Sequence, residues 1–481
     1  MGRALNLSIH FPGLNNPPPR SGGLFRKRLA FDSKYDELTG SGALAPGHAE
    51  CTIRPNAGLR LTVRVQGNRI EDNCEWDGSG RSLLCYQHEV SMSGNNNNET
   101  YSRRRLAQSV ALGGIGLAAM AVPAAGGQMP SSAGTMFDVR QFGAKGDGKS
   151  DDTKAIQAAI DAGAHGGAVF VPPGVYLSSE LHLRPHVSLI GVAGWSYRAP
   201  GGSVIRLNDP NAASLLNITG AFGVSIDGLS LEGGNLGTNT HGIFLNKPDY
   251  GKEEDAFRIE RSQVAHFSGG GVQLVRAWCF SIRHCMIAHN GGDGVSLRGW
   301  DGFLMDNWFS GNRGAGFGAR EENASCTFTG NRIEWNGEGI LISGGDGYNI
   351  TGNFFDRSGA CALILKRGAN GPCEQMSITG NFLKRSGKTA KPDSYDSGQA
   401  RFEGARGVTF TGNNLQVGRD DGGGGQLSPS YGIIYRDLQH CVISNNVLHN
   451  GATKELMVDQ GGNETGVVVK DNPGCLYQAK G

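Results

Sequence analysis

Four carboxylates in the second half of the sequence form two pairs with the same spacing. Asp301 and Asp346 make one pair, and Asp293 and Glu338 make the other. Two carboxyl groups held about 6.5–9.5 Å apart are the usual acid and base of an inverting glycosidase. Carboxylate pairs can instead bind calcium, which prefers oxygen ligands. Both pairs are therefore candidate catalytic residues, with calcium as a possible cofactor and no metal ligands assigned.

Two features leave the role of these carboxylates open. Asp301 and Asp346 are each followed by glycine, and Asp-Gly is a common turn dipeptide. Asn323 falls between them in the same predicted register, which gives the order carboxylate, amide, carboxylate. Trp300, next to Asp301, offers a face on which a sugar could stack, although a packed indole is the simpler alternative. We take Asn323 and Trp300 as candidate substrate-binding residues.

A basic column precedes the carboxylates. It consists of Arg298, Arg320 and Lys366, and the first two are predicted to stack one repeat apart. Like charges stacked about 5 Å apart repel, and an anionic partner would relieve that repulsion. A uronate carboxylate fits an arginine fork. The alternative is that the arginines pair with neighbouring acidic residues such as Glu321 and Glu322.

The overall composition limits what kind of fold can position these residues. The chain has 45 basic and 44 acidic residues, so a nucleic-acid partner is not expected. It contains 77 glycines among 481 residues, well above the average usage of about 7%. Glycine disfavours interior helix positions by about 1 kcal/mol each, so a helical bundle is excluded. Frequent tight turns are indicated instead.

An internal repeat decides the fold class. Successive segments begin 22 to 33 residues apart with an apolar residue, carry Asn, Cys or Ser three positions later, and return to apolar residues two positions beyond that. The segments begin at Ile259, Ile282, Leu304, Phe328, Ile350, Ile378, Phe410 and Ile443. A third short strand follows in the first five segments. Stacked coils of this kind predict an all-β, single-stranded right-handed parallel β-helix, with the asparagines in left-handed turns and hydrogen-bonded along the stack.

A short helix is expected at the N-terminal end of the stack. Ser150 or Asp151 can cap a helix over 155–162, which would cover the exposed edge strands. The β-helix domain is predicted to span 126–481. Its seven cysteines are expected to be mostly buried thiols, with a bridge between Cys361 and Cys373 left open.

The first 125 residues divide into two parts. Residues 1–91 lack sustained periodicity and receive no fold; we expect disorder or a start-site artefact, with translation beginning at Met92. Residues 92–125 combine Ser-Arg-Arg-Arg-Leu at 102–106 with an apolar, small-residue run typical of a twin-arginine export signal. A membrane anchor is the alternative. Cleavage would leave no stable membrane insertion and an exported, periplasmic or cell-surface protein.

Several motifs resemble a known family. Residues 137–148 (FDVRQFGAKGDG), Asp151-Asp152-Thr153 and residues 169–176 (VFVPPGVY) are similar to the opening of the pectate-lyase superfamily, in its rhamnogalacturonase/epimerase-like group. The resemblance covers 137–475. It implies a right-handed β-helix, a monomer or homotrimer, and a substrate groove on the strand before the variable loop. The polygalacturonase-type motif set and the Asp-Pro-His-Glu motif of alginate epimerases are absent, so no catalytic residue is carried over.

Fold, basic column and carboxylates together favour one function. We expect an exported enzyme that hydrolyses or β-eliminates an acidic, uronate-containing polysaccharide. A non-catalytic glycan-binding or cell-surface β-helix is the first alternative. A uronan epimerase is the second alternative.

Overall fold

The computed structural model separates the chain into two units, Met1–Pro123 and Ala124–Gly481. The predicted export signal at 92–125 lies outside the described residues. Those residues are five strands of the first unit (25–30, 48–53, 59–65, 68–76 and 83–85) and 136–478 of the second, apart from 165, 388 and 418–427.

The first unit contains an antiparallel sheet where no element was predicted. Its strands follow in chain order as Phe25–Ala30, His48–Ile53, Leu59–Val65, Asn68–Trp76 and Leu83–Cys85. The strand Leu59–Val65 alternates largely apolar with polar residues, a period-two signal that the sequence analysis overlooked. These strands lie in the segment for which we expected disorder or a start-site artefact, and that expectation stays a prediction. The translation start at Met92 stays a prediction.

The second unit is a right-handed parallel β-helix, as predicted. Ile259 pairs with Ile282, Ile282 with Leu304, and Leu304 with Phe328, all in parallel strands. This is the alignment that the repeat predicted, and it continues to Ile443. Each coil stacks on the previous one at about 4.8 Å, the spacing of hydrogen-bonded strands.

The strands form two large sheets and two small ones. The 11-stranded sheet comprises Asp147–Asp151, Gly174–Ser178, Ser203–Leu207, Leu229–Glu232, Gln263–Ala265, Met286–Ala288, Trp308–Ser310, Arg332–Glu334, Phe354–Asp356, Phe382–Lys384 and Asn414–Gln416. The 22-stranded sheet comprises Met136–Asp138, Ala168–Phe170, Leu181–His182, Ser188–Ile190, Ser214–Asn217, Ser225–Asp227, His241–Asn246, Arg258–Glu260, Val272–Arg283, Val295–Met305, Phe317–Ala324, Thr327–Thr329, Ile340–Ser343, Asn349–Thr351, Leu363–Lys366, Ser377–Thr379, Gly398–Glu403, Thr409–Thr411, Tyr431–Arg436, Val442–Ser444, Glu455–Asp459 and Val468–Lys470. Two-stranded sheets pair Cys373–Glu374 with Ala405–Arg406 and Leu448–His449 with Gly474–Cys475.

Three strands in the middle of the stack are longer than predicted. Val272–Arg283, Val295–Met305 and Phe317–Ala324 run from the third strand of one coil into the corner that leads to the next. The first two continue through that corner into the first strand of the next coil. The sequence predicted separate short strands here. These corners contain left-handed residues, Arg276 and Cys279 in the first strand and Asp301 in the second, and pairing between the two strands shifts register at Arg276.

Buried asparagines form a continuous ladder through the stack. The amide Nδ2 of each donates to the Oδ1 of the next and to a backbone carbonyl, as in Asn331 to Asn353 at 2.8 Å and Asn353 to Asn381 at 3.0 Å. The predicted hydrogen bonding along the stack is confirmed. The left-handed residue, however, is the one before each ladder asparagine, for example Asp306 before Asn307 and Gly330 before Asn331. The side-chain amides themselves point into the coil.

The N-terminal helix is present as predicted and spans Thr153–Ala162. It begins after Asp152, and the carboxylate of Asp151 accepts the backbone N–H of Thr153 at 3.0 Å. Ile156, Ala159 and Ile160 are buried in the main core. No helix among the described residues is long and apolar enough to span a membrane.

The seven cysteines in the described part of the β-helix unit are free thiols. The open possibility of a bridge between Cys361 and Cys373 is therefore not realised. Five of the seven are buried, as expected: Cys285, Cys326, Cys361, Cys373 and Cys441.

Candidate functional site

The third strands of successive coils turn alternate residues away from the coil interior, and we call this face the outer strip. Leu341, Ser343 and Ile364 on this face are nevertheless buried. One outward column contains Gln273, Ser296, Gly318, Leu341, Ile364 and Arg401. The next outward column contains Arg298, Ser343, Lys366 and Glu403, with Arg320 following Ala319 at the same level. The predicted basic column therefore lies on one face.

Asp293 and Glu338 lie in one column immediately before the outer strip. Val295, Phe317 and Ile340 are paired in register, so residues two positions earlier fall in line: Asp293, Ala315 and Glu338. The two carboxylates are thus two coils apart, as predicted, which is about 9.6 Å along the stack. The small side chain of Ala315 separates them.

Asp293 is held in a fixed position by a backbone N–H and an arginine side chain. Its carboxylate accepts the backbone N–H of Ala315 at 2.8 Å and both terminal nitrogens of Arg320, one of them at 3.1 Å. The pair lies directly over Gly318, where a Cβ would collide with both charged groups. Gly314 leaves space for Asp293 in the same way. A charged hydrogen-bonded pair of this kind is stronger than neutral hydrogen bonds.

Glu338 differs from Asp293 in its surroundings. It is half-buried, and no described residue donates a hydrogen bond to its carboxyl group. Burial raises the pKa of Glu338, with Asp293 and Asp396 adding to the rise, while Arg320 and Lys366 oppose it. Two carboxyl groups whose environments differ in this way can divide the roles of acid and base. Glu338 is the member suited to carry a proton.

Lys366 supplies the free cation of the outer strip. It is exposed, lies directly opposite Ser343 in the preceding coil, and makes no ion pair with any described residue. Arg401, on the same face, is already paired with Asp396 at 2.8 Å and Glu403 at 2.7 Å. Lys366 is therefore available to an anionic ligand beside Glu338.

The other predicted carboxylate pair is not in register. Trp300 pairs with Ala324, and Ala324 with Asp346, so Asp346 is level with Trp300 rather than with Asp301. Asp301 occupies the left-handed corner position, with φ of 58°. The predicted common register of Asp301 and Asp346 was wrong, and the turn alternative describes Asp301.

A bulge explains the error. Leu297 pairs with Ala319 but Gly299 pairs with Asn323, so Arg298 faces three residues, 320–322. Asn323 is consequently interior instead of facing the outer strip. Its amide donates to the carbonyl of Ser343 at 3.0 Å and accepts from the hydroxyl of Tyr348 at 2.7 Å.

Arg298 and Trp300 are also engaged within the chain. Arg298 pairs with Glu321 and Glu322, each at 3.1 Å, which is the neighbour pairing that the sequence left as an alternative. Trp300 stacks on Tyr250, with ring centroids 3.9 Å apart. Burial, together with Glu322, raises the pKa of Tyr250 to about 12, so its hydroxyl stays a donor to Glu322. One face of the Trp300 indole is therefore covered by Tyr250 at the edge of the outer strip.

The sequence analysis missed His241. Ile243 pairs with Val272, so His241 and Gly270 continue the column of Asp293 and Glu338. Its Nδ1 accepts the backbone N–H of Gly270 at 3.0 Å, and its ring stacks on Phe244. Burial lowers the pKa of His241, so the imidazole is neutral with its proton on Nε2. Extending the alignment of apolar strand residues back to Ile243 would have placed His241 in this column.

No group of three or more His, Cys, Asp or Glu side chains within the described residues is arranged to hold a metal ion. Calcium stays a possible cofactor to which no ligands are assigned.

Two protein-family models match parts of the β-helix unit. A family described as rhamnogalacturonase A/epimerase, pectate lyase-like, matches residues 136–199. A family described as right-handed beta helix region matches residues 214–383. The N-terminal coils are thus similar to the pectate-lyase-like family, and the middle coils are similar to the right-handed beta helix region family. The matched segments of this β-helix protein include Asp293, Glu338 and Lys366.

Individual proteins are similar to this chain in sequence or in fold. This β-helix protein is 35% identical over 191 residues to mannuronan C5-epimerase AlgE6 of Azotobacter vinelandii, covering 35% of this chain and about a fifth of the relative. The solved A-module of that epimerase covers 71% of this chain and all of the module, with TM-score 0.51 and 20% identity. An enzymatically active domain of bacteriophage CBA120 tailspike protein 2 covers 87% of this chain and 55% of its own, with TM-score 0.52 and 13% identity. At these identities the two solved structures show a shared fold.

Proposed function

We propose that this protein is a carbohydrate-active enzyme that cleaves a uronate-containing polysaccharide on the outer strip. The observation that carries the proposal is Glu338, a half-buried carboxyl group with a raised pKa and no hydrogen-bond donor among the described residues. Perturbed titratable groups of this kind cluster at functional sites. The name of the mannuronan C5-epimerase relative supports an acidic polysaccharide as the substrate.

The reaction assigns separate roles to the two carboxyl groups. Protonated Glu338 donates its proton to the glycosidic oxygen as the bond to the leaving sugar breaks. The carboxylate of Asp293, paired with Arg320, accepts a proton from the attacking water on the other side of the sugar. The backbone separation of about 9.6 Å is close to the range that leaves room for this water. Lys366 binds the uronate carboxylate.

β-Elimination uses the same groups with a different first proton. Asp293 would take the proton from the carbon next to the uronate carboxylate, whose charge Lys366 neutralises, and Glu338 would protonate the leaving oxygen. A double bond would then replace the two bonds that break. Epimerisation would return the proton to the opposite face without cleavage, and the epimerase relative favours keeping it as the second candidate.

One assay distinguishes these outcomes. The full chain is incubated with polymannuronate, polyguluronate, polygalacturonate and neutral glucans, with and without calcium. New reducing ends and ultraviolet absorbance of unsaturated uronides are recorded, and the sugar configuration is followed by proton NMR. Reducing ends alone indicate hydrolysis; reducing ends with absorbance indicate elimination. A changed configuration without new ends indicates epimerisation and overturns the cleavage proposal.

Binding without turnover on every acidic polymer would also overturn it. That result would identify a glycan-binding β-helix in which the Asp293–Arg320 pair is structural. Preference for neutral glucans would contradict the binding of a uronate carboxylate by Lys366. It would not contradict the role of Glu338 as the general acid.

Export is a further part of the proposal. The twin-arginine-type motif at 102–106 supports it. Replacing Arg103 and Arg104 by lysine should keep the natively expressed protein in the cytoplasm. Unchanged export of this variant would contradict the twin-arginine route.

A further inference from the structure

The last parallel strand pair of the stack brings a thiol, an imidazole and an amide together. Gly474–Cys475 pairs with Leu448–His449, which places Cys475 directly opposite His449. The Sγ of Cys475 lies 3.6 Å from Nδ1 of His449. The backbone N–H of Asn450 donates to the same sulfur at 3.3 Å, and Oδ1 of Asn450 lies 3.5 Å from it. None of these groups takes part in the outer strip.

Cys475 is exposed, and so is His449. The other six thiols in the described part of the β-helix unit are buried or half-buried. Burial raises the pKa of Cys285, Cys326 and Cys361 to about 12, so these thiols stay protonated. Among these seven thiols of the β-helix unit, Cys475 is therefore the one most exposed to dissolved reagents.

The neighbours of Cys475 suit an activated thiol. Nδ1 of His449 is placed to accept the thiol proton, and the Asn450 N–H is placed to stabilise the resulting negative sulfur. The side-chain amide of Asn450 also approaches Nε2 of His449, at 3.4 Å. Rotation of that amide by 180° would turn its NH2 toward sulfur and its oxygen toward a protonated Nε2. A nucleophile, a base and a group orienting the base are the parts of an activated cysteine.

We infer that Cys475 and His449 form a thiol-modification site that reacts with low-molecular-weight disulfides. His449 takes the proton of Cys475, and the thiolate attacks one sulfur of the disulfide. A new S–S bond forms to Cys475 as the original S–S bond breaks, and the second sulfur leaves as a thiolate that takes up a proton. Thiol and disulfide exchange roles, so no further oxidant is required.

The test follows each cysteine separately in the full chain. The protein is incubated with oxidised glutathione between pH 6 and 8, quenched with acid, digested with trypsin and analysed by mass spectrometry. Cys475 is read from the peptide 471–480 and the half-buried Cys279 from its own peptide. We expect Cys475 to gain one glutathionyl group before Cys279 does. His449→Ala should slow the reaction of Cys475 about threefold at pH 7, and more at pH 6.

Matched variants make the result decisive. His440 is another exposed histidine near the C-terminal end; it contacts Glu464 rather than Cys475, so His440→Ala should leave the rate unchanged. Cys475→Ser should abolish modification of the peptide 471–480. Equal rates for the unchanged chain and His449→Ala across the pH range would overturn the inference. So would a rate for Cys279 as high as that for Cys475 in folded protein.

Discussion

Glu338 and Asp293 are carboxyl groups of one column with different surroundings, and burial raises the pKa of Glu338. Asp293 has a backbone N–H and an arginine, whereas Glu338 has partial burial and no donor among the described residues. Backbone hydrogen bonds between three successive coils fix their separation at two coil steps. The difference between the two residues is therefore a property of side chains placed on an otherwise regular stack.

Removing the acid should remove turnover. Glu338→Gln preserves shape but cannot donate a catalytic proton, so we expect activity on the best polymer to fall by about 10²–10⁴-fold. Reducing-end release measures it. Glu374→Gln, on a carboxylate paired with Arg406 away from the strip, should retain activity and serves as the control. Equal activity of Glu338→Gln and the unchanged chain would exclude Glu338 as the acid.

The raised pKa of Glu338 also predicts the sign of a pH effect on stability. The folded state binds this proton more tightly than the unfolded state, so the free energy of unfolding increases as pH falls through the folded pKa of Glu338 towards the unfolded value. Above the folded pKa of Glu338, the ionised group destabilises the fold. Glu338→Gln should therefore melt at an equal or higher temperature than the unchanged chain at pH 7. A lower melting temperature there, measured by calorimetry, would contradict this assignment.

Gly318 should be required for activity rather than for folding. A Cβ at this position would collide with the ends of Arg320 and Asp293, two flexible side chains, so Gly318→Ala should displace the ion pair while leaving the strand intact. We expect loss of turnover with a melting temperature within a few degrees of the unchanged chain. Ser296→Ala changes the same outward column one coil earlier and should keep activity. Full activity of Gly318→Ala would show that the pair is dispensable.

At the scale of elements, the asparagine ladder ties each coil to the next. Asn353 accepts two N–H groups of Asn331 and donates to Phe328 and Asn381, all in the buried interior. Asn353→Ala would leave several of these groups without partners, and we expect a loss of about 3 kcal/mol in the free energy of unfolding. Urea unfolding measures it. Asn349→Ala, at an exposed position in the same coil, should change stability by no more than about 0.5 kcal/mol, and equal effects would contradict the ladder's role.

The elements also show how far the sequence could predict the site. Apolar residues and asparagines recur because interior packing demands them, so strands, register and the Asp293–Glu338 column were recoverable from spacing. The bulge at 320–322 was not, because two extra residues in a coil can be absorbed at several places with similar cost. That single ambiguity misplaced Asn323 and Asp346. His241 was missed because the chain between its strand and the equivalent strand of the next coil is longer than the repeat spacing of the following coils.

At the scale of the whole molecule, the chain divides at Pro123–Ala124, close to the predicted start of the mature domain at residue 126. We expect residues 126–481 alone to unfold cooperatively at a melting temperature within a few degrees of the full chain, since the core of the β-helix lies within this unit. Calorimetry of both proteins checks this. A large decrease for the shorter protein would show that 1–125 stabilises the β-helix.

The stacking of coils has one consequence for how such a site can change. Because Asp293, Ala315 and Glu338 stand at the same level of three successive coils, the distance between the two carboxyl groups is counted in whole coils of about 4.8 Å. Loss or duplication of one coil would preserve the ladder and the core but move the acid relative to its partner by a full step. The spacing between reactive groups is therefore discontinuous: it can be halved or lengthened by half, whereas small adjustments must come from side-chain length, as between aspartate and glutamate.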